Sequence, residues 1–348
     1  MSWFNTEGNC PQFFILSQAK YLRSPAGLPF KATDSEDYQR LLAETDTLMA
    51  QNGFRKEVLP PGESADTLSL AEKQFLDGSE VESHAIRTLY LNEPCNLSVT
   101  VGGKSFFTVR SILSGKAVSE SLNVAAGAEE MLDTAFEMAY SEERGYLSPD
   151  PDQCGSGASI SVTLYLPSLS VSSASERLRA ECARHGVEIV PFSLHGGNPG
   201  DLYRITCYLS RNASEKQAAA SFEAFCDKIV QNESRLLHSA CDQRLDRIID
   251  HGRRAYGLLT YASEISEAEL LTLLSRLRLG LILAPDAVAL PHVSFTTLNS
   301  LLAEGLNGSV IASSPAPCTS ETDCRKLRAK LTSKILRSSE SGQQGLCP

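Results

Sequence analysis

Apolar and polar positions change period several times along the chain, and the changes outline its elements. An apolar run, Phe13 to Leu16, is followed by the turn-rich SPAGLPF. Tyr38, Leu41, Leu42, Thr45 and Leu48 recur at helical spacing and predict a helix over 33–52, with Asp34 or Ser35 as its cap. A loop with Pro60-Pro61-Gly62 leads to a second predicted helix over 67–77, carrying Leu68, Leu70, Phe75 and Leu76. The pattern then shortens to β-type runs at 86–91, 97–101 and 106–112, with Gly102-Gly103 as a hairpin turn between the last two. Helical spacing returns over 118–140, where Leu122, Ala126, Leu132, Ala135, Phe136 and Ala139 share a face. A loop of Pro, Asp and Gly follows. Beyond it Ile160, Val162, Leu164 and Leu166 alternate with polar residues and predict a strand over 159–166. A helix over 172–185, a strand over 187–194, the glycine-rich HGGNPGD loop, a strand over 202–209 and a long helix over 214–240 complete this part.

After about residue 250 the pattern is mainly helical. Ser266 and Glu269 form a capping box, and Gly280 is placed as the C-cap of a leucine-rich helix. A last helix over 320–337 starts at Ser320 and Asp323 and is covered with Arg and Lys. Hairpin, helix, strand, helix, strand, strand, helix predicts the α+β class, an antiparallel or mixed sheet flanked by helices, without the βαβ rhythm of a dinucleotide-binding fold. The expected organisation is a small, mainly helical N-terminal domain over 1–80, an α/β domain with the sheet over 81–250, a helical extension over 251–338 and a disordered tail over 339–348.

Composition narrows the function. The chain has 348 residues, 42% hydrophobic and 21% charged, which suits a protein with a sizeable core. A formal charge of −10 argues against nonspecific nucleic-acid binding. No apolar run reaches the length of a membrane span and the N-terminus has no signal-peptide pattern, so a cytoplasmic location is expected. The 10 cysteines include no CxxC, and Cys318 and Cys324 have no histidine beside them, so neither disulfides nor a metal site is expected.

Four stretches resemble the ATP:guanidino phosphotransferase (phosphagen kinase) family, most nearly its bacterial protein-arginine kinase branch. LDTAFEMAYSEERGYLSPDPDQCGSG is similar to the family's helix, GYLT turn and cysteine loop. ILSQAKYLRSPAGLPF is similar to its N-terminal arginine motif. LNEPCNLSVTVGGKSFFTVRSILSG lies where the family has a strand pair bearing an acidic NEED stretch. RRAYGLLTYA with LSRLRLGLIL is similar to the C-terminal region of the protein-arginine kinases. The resemblance implies the guanidino kinase fold and the transfer of a phosphoryl group from Mg-ATP to a guanidinium.

That chemistry needs arginines around the phosphates and carboxylates that orient and deprotonate the acceptor. By the same resemblance, the three arginines of the N-terminal motif fall on Gln18, Lys20 and Arg23. The acidic stretch falls on Gly102, Gly103, Lys104 and Ser105, which places Gly103 where the family has its catalytic glutamate. The His and Arg that follow fall on Phe106 and Thr108. The cysteine of the loop falls on Asp150, its asparagine on Gln153 and the arginine after it on Ser159, while Pro151, Gly155 and Ser156 are kept. In the glycine-rich loop a phosphate-binding arginine falls on Pro191 and a second glutamate on Gly196. Loss of one general base costs about 10²–10⁴ in rate and loss of a transition-state arginine roughly 10³ or more. The expectation is therefore a pseudokinase with no confident cofactor, Mg-ATP being the one an active enzyme would use.

Weak phosphate contacts are assigned to Lys20, Arg23, Gly155 and Ser156. An alternative is an active kinase with a site rebuilt from Asp150, Asp152, Lys104 and Arg110, although Pro-Asp-Pro-Asp is also ordinary turn chemistry. TDCRKL resembles the phosphoarginine-binding segment of the protein-arginine kinases, which implies a third reading, an adaptor with a pocket at Asp323, Arg325 and Lys326. A solvated basic helix face explains the same residues. The resemblance also implies a homodimer, and as partners a zinc-binding activator protein and a Clp-type unfoldase.

Overall fold

The computed structural model describes residues 2–28, 35–59, 87–102, 105–149, 154–171, 174–192, 200–210, 214–241, 244–288, 293–313 and 320–343. The predicted helix over 67–77 and the residues Gly103, Lys104, Asp150, Pro151, Asp152, Gln153 and Gly196 lie outside them. In chain order the elements are β1 (Phe14–Arg23), α1 (Glu36–Gln51), β2 (Arg55–Leu59), β3 (Arg87–Leu91), β4 (Leu97–Val101), β5 (Phe107–Ser114), α2 (Val118–Ala135), β6 (Tyr140–Ser141), β7 (Gly145–Tyr146) and β8 (Ala158–Tyr165). They continue with α3 (Pro167–Val171), α4 (Ala174–Arg184), β9 (Val187–Pro191), β10 (Leu202–Tyr208), α5 (Glu215–Cys241), α6 (Leu245–Tyr261), α7 (Glu267–Leu283), α8 (Pro285–Val288), α9 (Phe295–Gly305), α10 (Asn307–Ala312) and α11 (Glu321–Gln343). The class is α+β.

Eight strands form one antiparallel sheet in the order β2-β3-β4-β5-β1-β8-β10-β9. The first strand of the chain thus lies inside the sheet, hydrogen-bonded to β5 on one side and β8 on the other. This corrects the separate helical domain expected over 1–80. Phe13 to Leu16 is a short apolar run that does not reveal its partners, and a strand buried on both sides looks the same in sequence as a buried helix segment.

Side chains alternate along β1. Ser17, Ala19, Tyr21 and Arg23 face the helices: the Ser17 hydroxyl accepts from Ala117 N–H at the start of α2, and Tyr21 reaches Glu215 at the start of α5. Gln18, Lys20 and Leu22 therefore face the other way. The main core fills the helix side, with Val109, Phe107, Ile160 and Val162 from the strands against Leu122, Ala125 and Leu132 of α2. A second core forms at one end of the opposite face. There Leu16, Ile112, Tyr165 and Leu202 meet leucines of α7 and α9 together with Leu259 of α6 and Leu336 of α11.

Three boundaries differ from expectation. α2 ends at Ala135 rather than 140, because Phe136 turns extended (φ −130°, ψ 136°) and its ring packs 5.3 Å from that of Phe107. The chain then pairs with the segment after β1, with Ala139 N–H donating to Ser24 O at 2.7 Å. Gly280 is not a C-cap, since α7 runs on to Leu283. A Cβ on Gly280 would lie 3.5 Å from the Gly252 Cα and 3.1 Å from Val288 Cγ2, so this glycine lets α6 and α7 approach closely. α11 reaches Gln343, so the tail expected to be disordered from 339 begins inside a helix, and 344–348 lie outside the described residues. The capping box at Ser266 and Glu269 is present as predicted. No helix among the described residues is long and apolar enough to cross a membrane.

Candidate functional site

The β1 register separates the residues assigned to phosphate. Lys20 stands opposite Arg110 on β5 and Ser159 on β8, and Gln18 stands opposite Ile112 and Ser161. Arg110 in turn stands opposite Ser98 on β4. These positions share the sheet face turned away from α2. It presents ammonium, guanidinium, amide and hydroxyl groups, with Thr108 and Thr206 in the neighbouring registers. Gln18 and Arg110 are buried, and Lys20 is half-buried. This donor-rich surface has the chemistry to hold an anion. The five strands that build it, β4, β5, β1, β8 and β10, contain no Asp or Glu.

Arg23 lies three residues from Lys20 and so faces the helices. Its Nε donates to Glu129 Oε1 at 2.6 Å, and its Nη1 donates to the carbonyls of Leu22 and Ser156 at 2.9 Å each. Its guanidinium lies 3.5 Å from the ring centre of Tyr146. Gly155 and Ser156 sit beside it, so the four assigned phosphate contacts do not form one site. Nor can these two residues cradle a phosphate there. Gly155 N–H donates to Tyr146 O at 3.1 Å, and the Ser156 hydroxyl donates to Leu209 O at 2.6 Å. Three carboxylates, Glu129, Asp133 and Glu215, line the same cleft. Of the rebuilt site expected from Asp150, Asp152, Lys104 and Arg110, only Arg110 lies among the described residues, and it lies on the sheet face opposite to Arg23.

The cleft rests on local sequence. Gly145 has φ +79°, which closes the β6–β7 hairpin, and Tyr146 exchanges two backbone hydrogen bonds with Gly155. Tyr140 and Tyr146 then meet edge to face at 5.3 Å. Burial raises the Tyr146 phenol above its ordinary pKa, with Arg23 opposing, so the ring stays neutral. Burial, then the hydrogen bond to Glu215, raises Tyr21 as well. Tyr146 and Asp133 both lie in the stretch LDTAFEMAYSEERGYLSPDPDQCGSG, but nothing in the sequence marks them, Glu129 or Glu215 as site residues. Glu129 and Asp133 follow Ala126 at helical spacing on α2, a polar stripe at the rim of the predicted apolar face.

On α11, Asp323 accepts from the Ser320 hydroxyl at 2.7 Å, the capping pattern expected from sequence. Arg325 donates to Glu321 at 2.5 Å, and Lys326 lies 3.9 Å from Glu264. Each cation of the assigned phosphoarginine pocket thus has a carboxylate partner nearby. The deeply buried cation of this helix is Arg328, which donates to Gly305 O at 2.6 Å and Ile265 O at 2.8 Å and ties α11 to the turns around α7 and α9. Arg278 on α7 is similarly buried. It donates to Pro11 O at 2.7 Å and Asn299 Oδ1 at 2.7 Å, and burial lowers its pKa to about 10. Neither residue stood out in the sequence.

The sheet and its helices are similar to solved guanidino kinases. A duplicated taurocyamine kinase from Schistosoma mansoni, with bound transition-state analogue components, aligns at TM-score 0.52 and 18% identity over 64% of this chain. Lombricine kinase aligns at TM-score 0.51 and 16% identity over 68% of this chain. The match spans about a third (32%) of the duplicated protein and 69% of lombricine kinase. These likenesses define the class: an α+β protein with the guanidino kinase fold. The family model "ATP:guanido phosphotransferase, C-terminal catalytic domain" matches residues 39–236, more than half of the chain, and the chain belongs to that family. Its curated relatives include protein-arginine kinases of Symbiobacterium thermophilum, 26% identical over 311 residues and 86% of each chain, and of Clostridium acetobutylicum, 22% identical over 308 residues, 86% of this chain and 89% of the relative.

Proposed function

We propose that this protein is a protein-arginine kinase homologue that no longer transfers phosphate and acts as a scaffold or regulator through protein contacts. The observation that carries this reading is the composition of the face bearing Lys20 and Arg110. It has cations and hydroxyls, and the five strands from β4 to β10 that build it hold no carboxylate. Attack by a guanidinium nitrogen requires loss of a proton from a group whose reference pKa is about 12.5–13.8, so the reaction needs an acidic residue as base. Gln18 and Ser159 also stand where the family motif has arginines, leaving fewer charges to stabilise the transferring phosphoryl group. The setting we assign is cytoplasmic control of stress and proteolysis, with a homodimer, a zinc-binding activator and a Clp-type unfoldase as partners, all by analogy with the protein-arginine kinases.

The test is direct. The protein is incubated with Mg-ATP and an arginine-rich substrate protein, and phosphoarginine is sought by ³¹P NMR and mass spectrometry under conditions that preserve the acid-labile P–N bond. None is expected. Robust turnover that disappears on Arg110→Ala would overturn the reading and establish a working site on this face.

A further inference from the structure

The cleft beneath Arg23 has no part in the function proposed above, and its chemistry differs from that of the opposite face. We infer that it is a separate binding site for a small organic cation, a guanidinium or substituted ammonium group. The cleft measures about 650 Å³ and is bounded by α2, the β6–β7 hairpin, the Gly155–Ser156 loop and the start of α5. That size falls within the roughly 300–1,000 Å³ typical of small-molecule sites.

Its walls select a positive charge. Glu129, Asp133 and Glu215 face one guanidinium, that of Arg23, which is already neutralised by Glu129 at 2.6 Å. Glu215 accepts one hydrogen bond, from the Tyr21 hydroxyl at 2.6 Å, and Asp133 makes no hydrogen bond or ion pair among the described residues. Carboxylate capacity therefore remains beyond what the chain itself uses. Two tyrosine rings supply the second requirement, since a cation over a neutral aromatic face is attracted by the ring quadrupole. Tyr140 leaves 53% of its surface exposed at the mouth, and Tyr146 forms the inner wall. The site also contains its own precedent. Arg23 already rests 3.5 Å from the Tyr146 ring centre and 5.2 Å from that of Tyr21 while paired to a carboxylate, the arrangement an entering guanidinium would repeat on Tyr140 with Asp133 and Glu215. An anion meets three carboxylates and finds the Gly155 amide and Ser156 hydroxyl engaged.

The cation could be a free metabolite or the side chain of a bound protein. The chemistry is the same, and competition separates the two sources. Agmatine, a small alkylguanidinium, is titrated into the full chain by calorimetry, alongside the Tyr140→Ala and Asp133→Asn variants. Both positions are exposed, and matching melting curves confirm that the variants fold. Saturable agmatine binding is expected, weakened roughly 2- to 30-fold by Tyr140→Ala and weakened also by Asp133→Asn. Displacement of agmatine by an arginine-bearing peptide assigns the site to a protein side chain, and binding without such displacement assigns it to a free cation. No saturable binding at millimolar agmatine, or equal affinity in all three proteins, overturns the inference. The outcome is independent of the kinase assay, because the cleft and the Lys20–Arg110 surface lie on opposite faces of β1.

Discussion

Arg23→Ala removes several interactions at once, and their geometry sets the expected loss. The side chain is 3% exposed and its partner Glu129 15% exposed, with 2.6 Å between them. Removing one member of a buried pair costs about 3–5 kcal/mol, mostly because the other charge is stranded. Glu129 keeps some contact with water, which places the loss near the lower end, at about 3 kcal/mol. The carbonyls of Leu22 and Ser156 also lose a donor, and Tyr146 loses its stacked cation. These groups share one side chain, so their contributions do not add. Arg23→Lys keeps the charge but cannot hold Glu129 and both carbonyls with one ammonium, and a loss of about 1–2 kcal/mol is expected. The assay is urea unfolding followed by two signals. Trp3, the single tryptophan, is buried in the C-terminal core and reports on it, while far-UV circular dichroism follows the whole chain. Coincident transitions license the free-energy comparison. A double-mutant cycle with Glu129→Gln should give a coupling of at least about 1 kcal/mol. If Arg23→Ala shifts stability by less than about 1 kcal/mol, or if the cycle is additive, the claim that Arg23 is a structural lock is wrong.

Other perturbations test other parts of the structure. Gly145→Ala puts a Cβ 2.4 Å from Gly155 O at φ +79° and should cost at least about 2 kcal/mol, read as a lowered melting temperature; a neutral result would mean the hairpin is not closed this way. Glu233 is buried and accepts from Ser168 N–H at 2.6 Å, and burial raises its carboxyl pKa above the ordinary 4.5. An acid with a raised folded-state pKa keeps its proton longer when folded, so its contribution to stability falls as pH rises above the ordinary carboxylate range. Glu233→Gln keeps the acceptor without the charge, so it should be no less stable than wild type at pH near 7 and lose that relative advantage in acid; urea midpoints at the two pH values decide, and the opposite trend refutes the assignment.

The elements made of long periodic runs were legible in the sequence. α1 and α5 fell close to their predicted spans, α2 began at its predicted start, and β4 matched its span. What the sequence concealed was partnership. Phe14 to Arg23 reads as a short apolar run with an irregular polar tail. Its place between β5 and β8 depends on contacts more than 80 residues away, such as Lys20 with Arg110. Gly280 looked like a terminator because glycine is common after helices, but here it serves a helix crossing, which no local pattern reveals. Asp133 and Glu215 lie on separate helices, and only folding brings both to Tyr146. Arg278 and Arg328 resembled ordinary surface cations, because carbonyl acceptors leave no mark in sequence.

Under the function proposed above, one strand shows how the fold and the reaction would separate. On β1 the positions facing the helices carry the packing: Ala19 and Tyr21 fill the core, and Ser17 and Arg23 bind the helices and the loop before β8. The positions facing away, Gln18 and Lys20, are those a phosphoryl-transfer site would use. The sheet itself is held by backbone hydrogen bonds that do not depend on which polar side chain occupies the outer face. Exchanging arginine for glutamine or serine there alters catalysis far more than folding. The same logic accounts for the arginine the chain retains. Of the three motif positions, Arg23 alone faces inward, where its removal strands Glu129. Its removal would cost folding stability whether or not the reaction occurs, so the presence of Arg23 does not bear on activity.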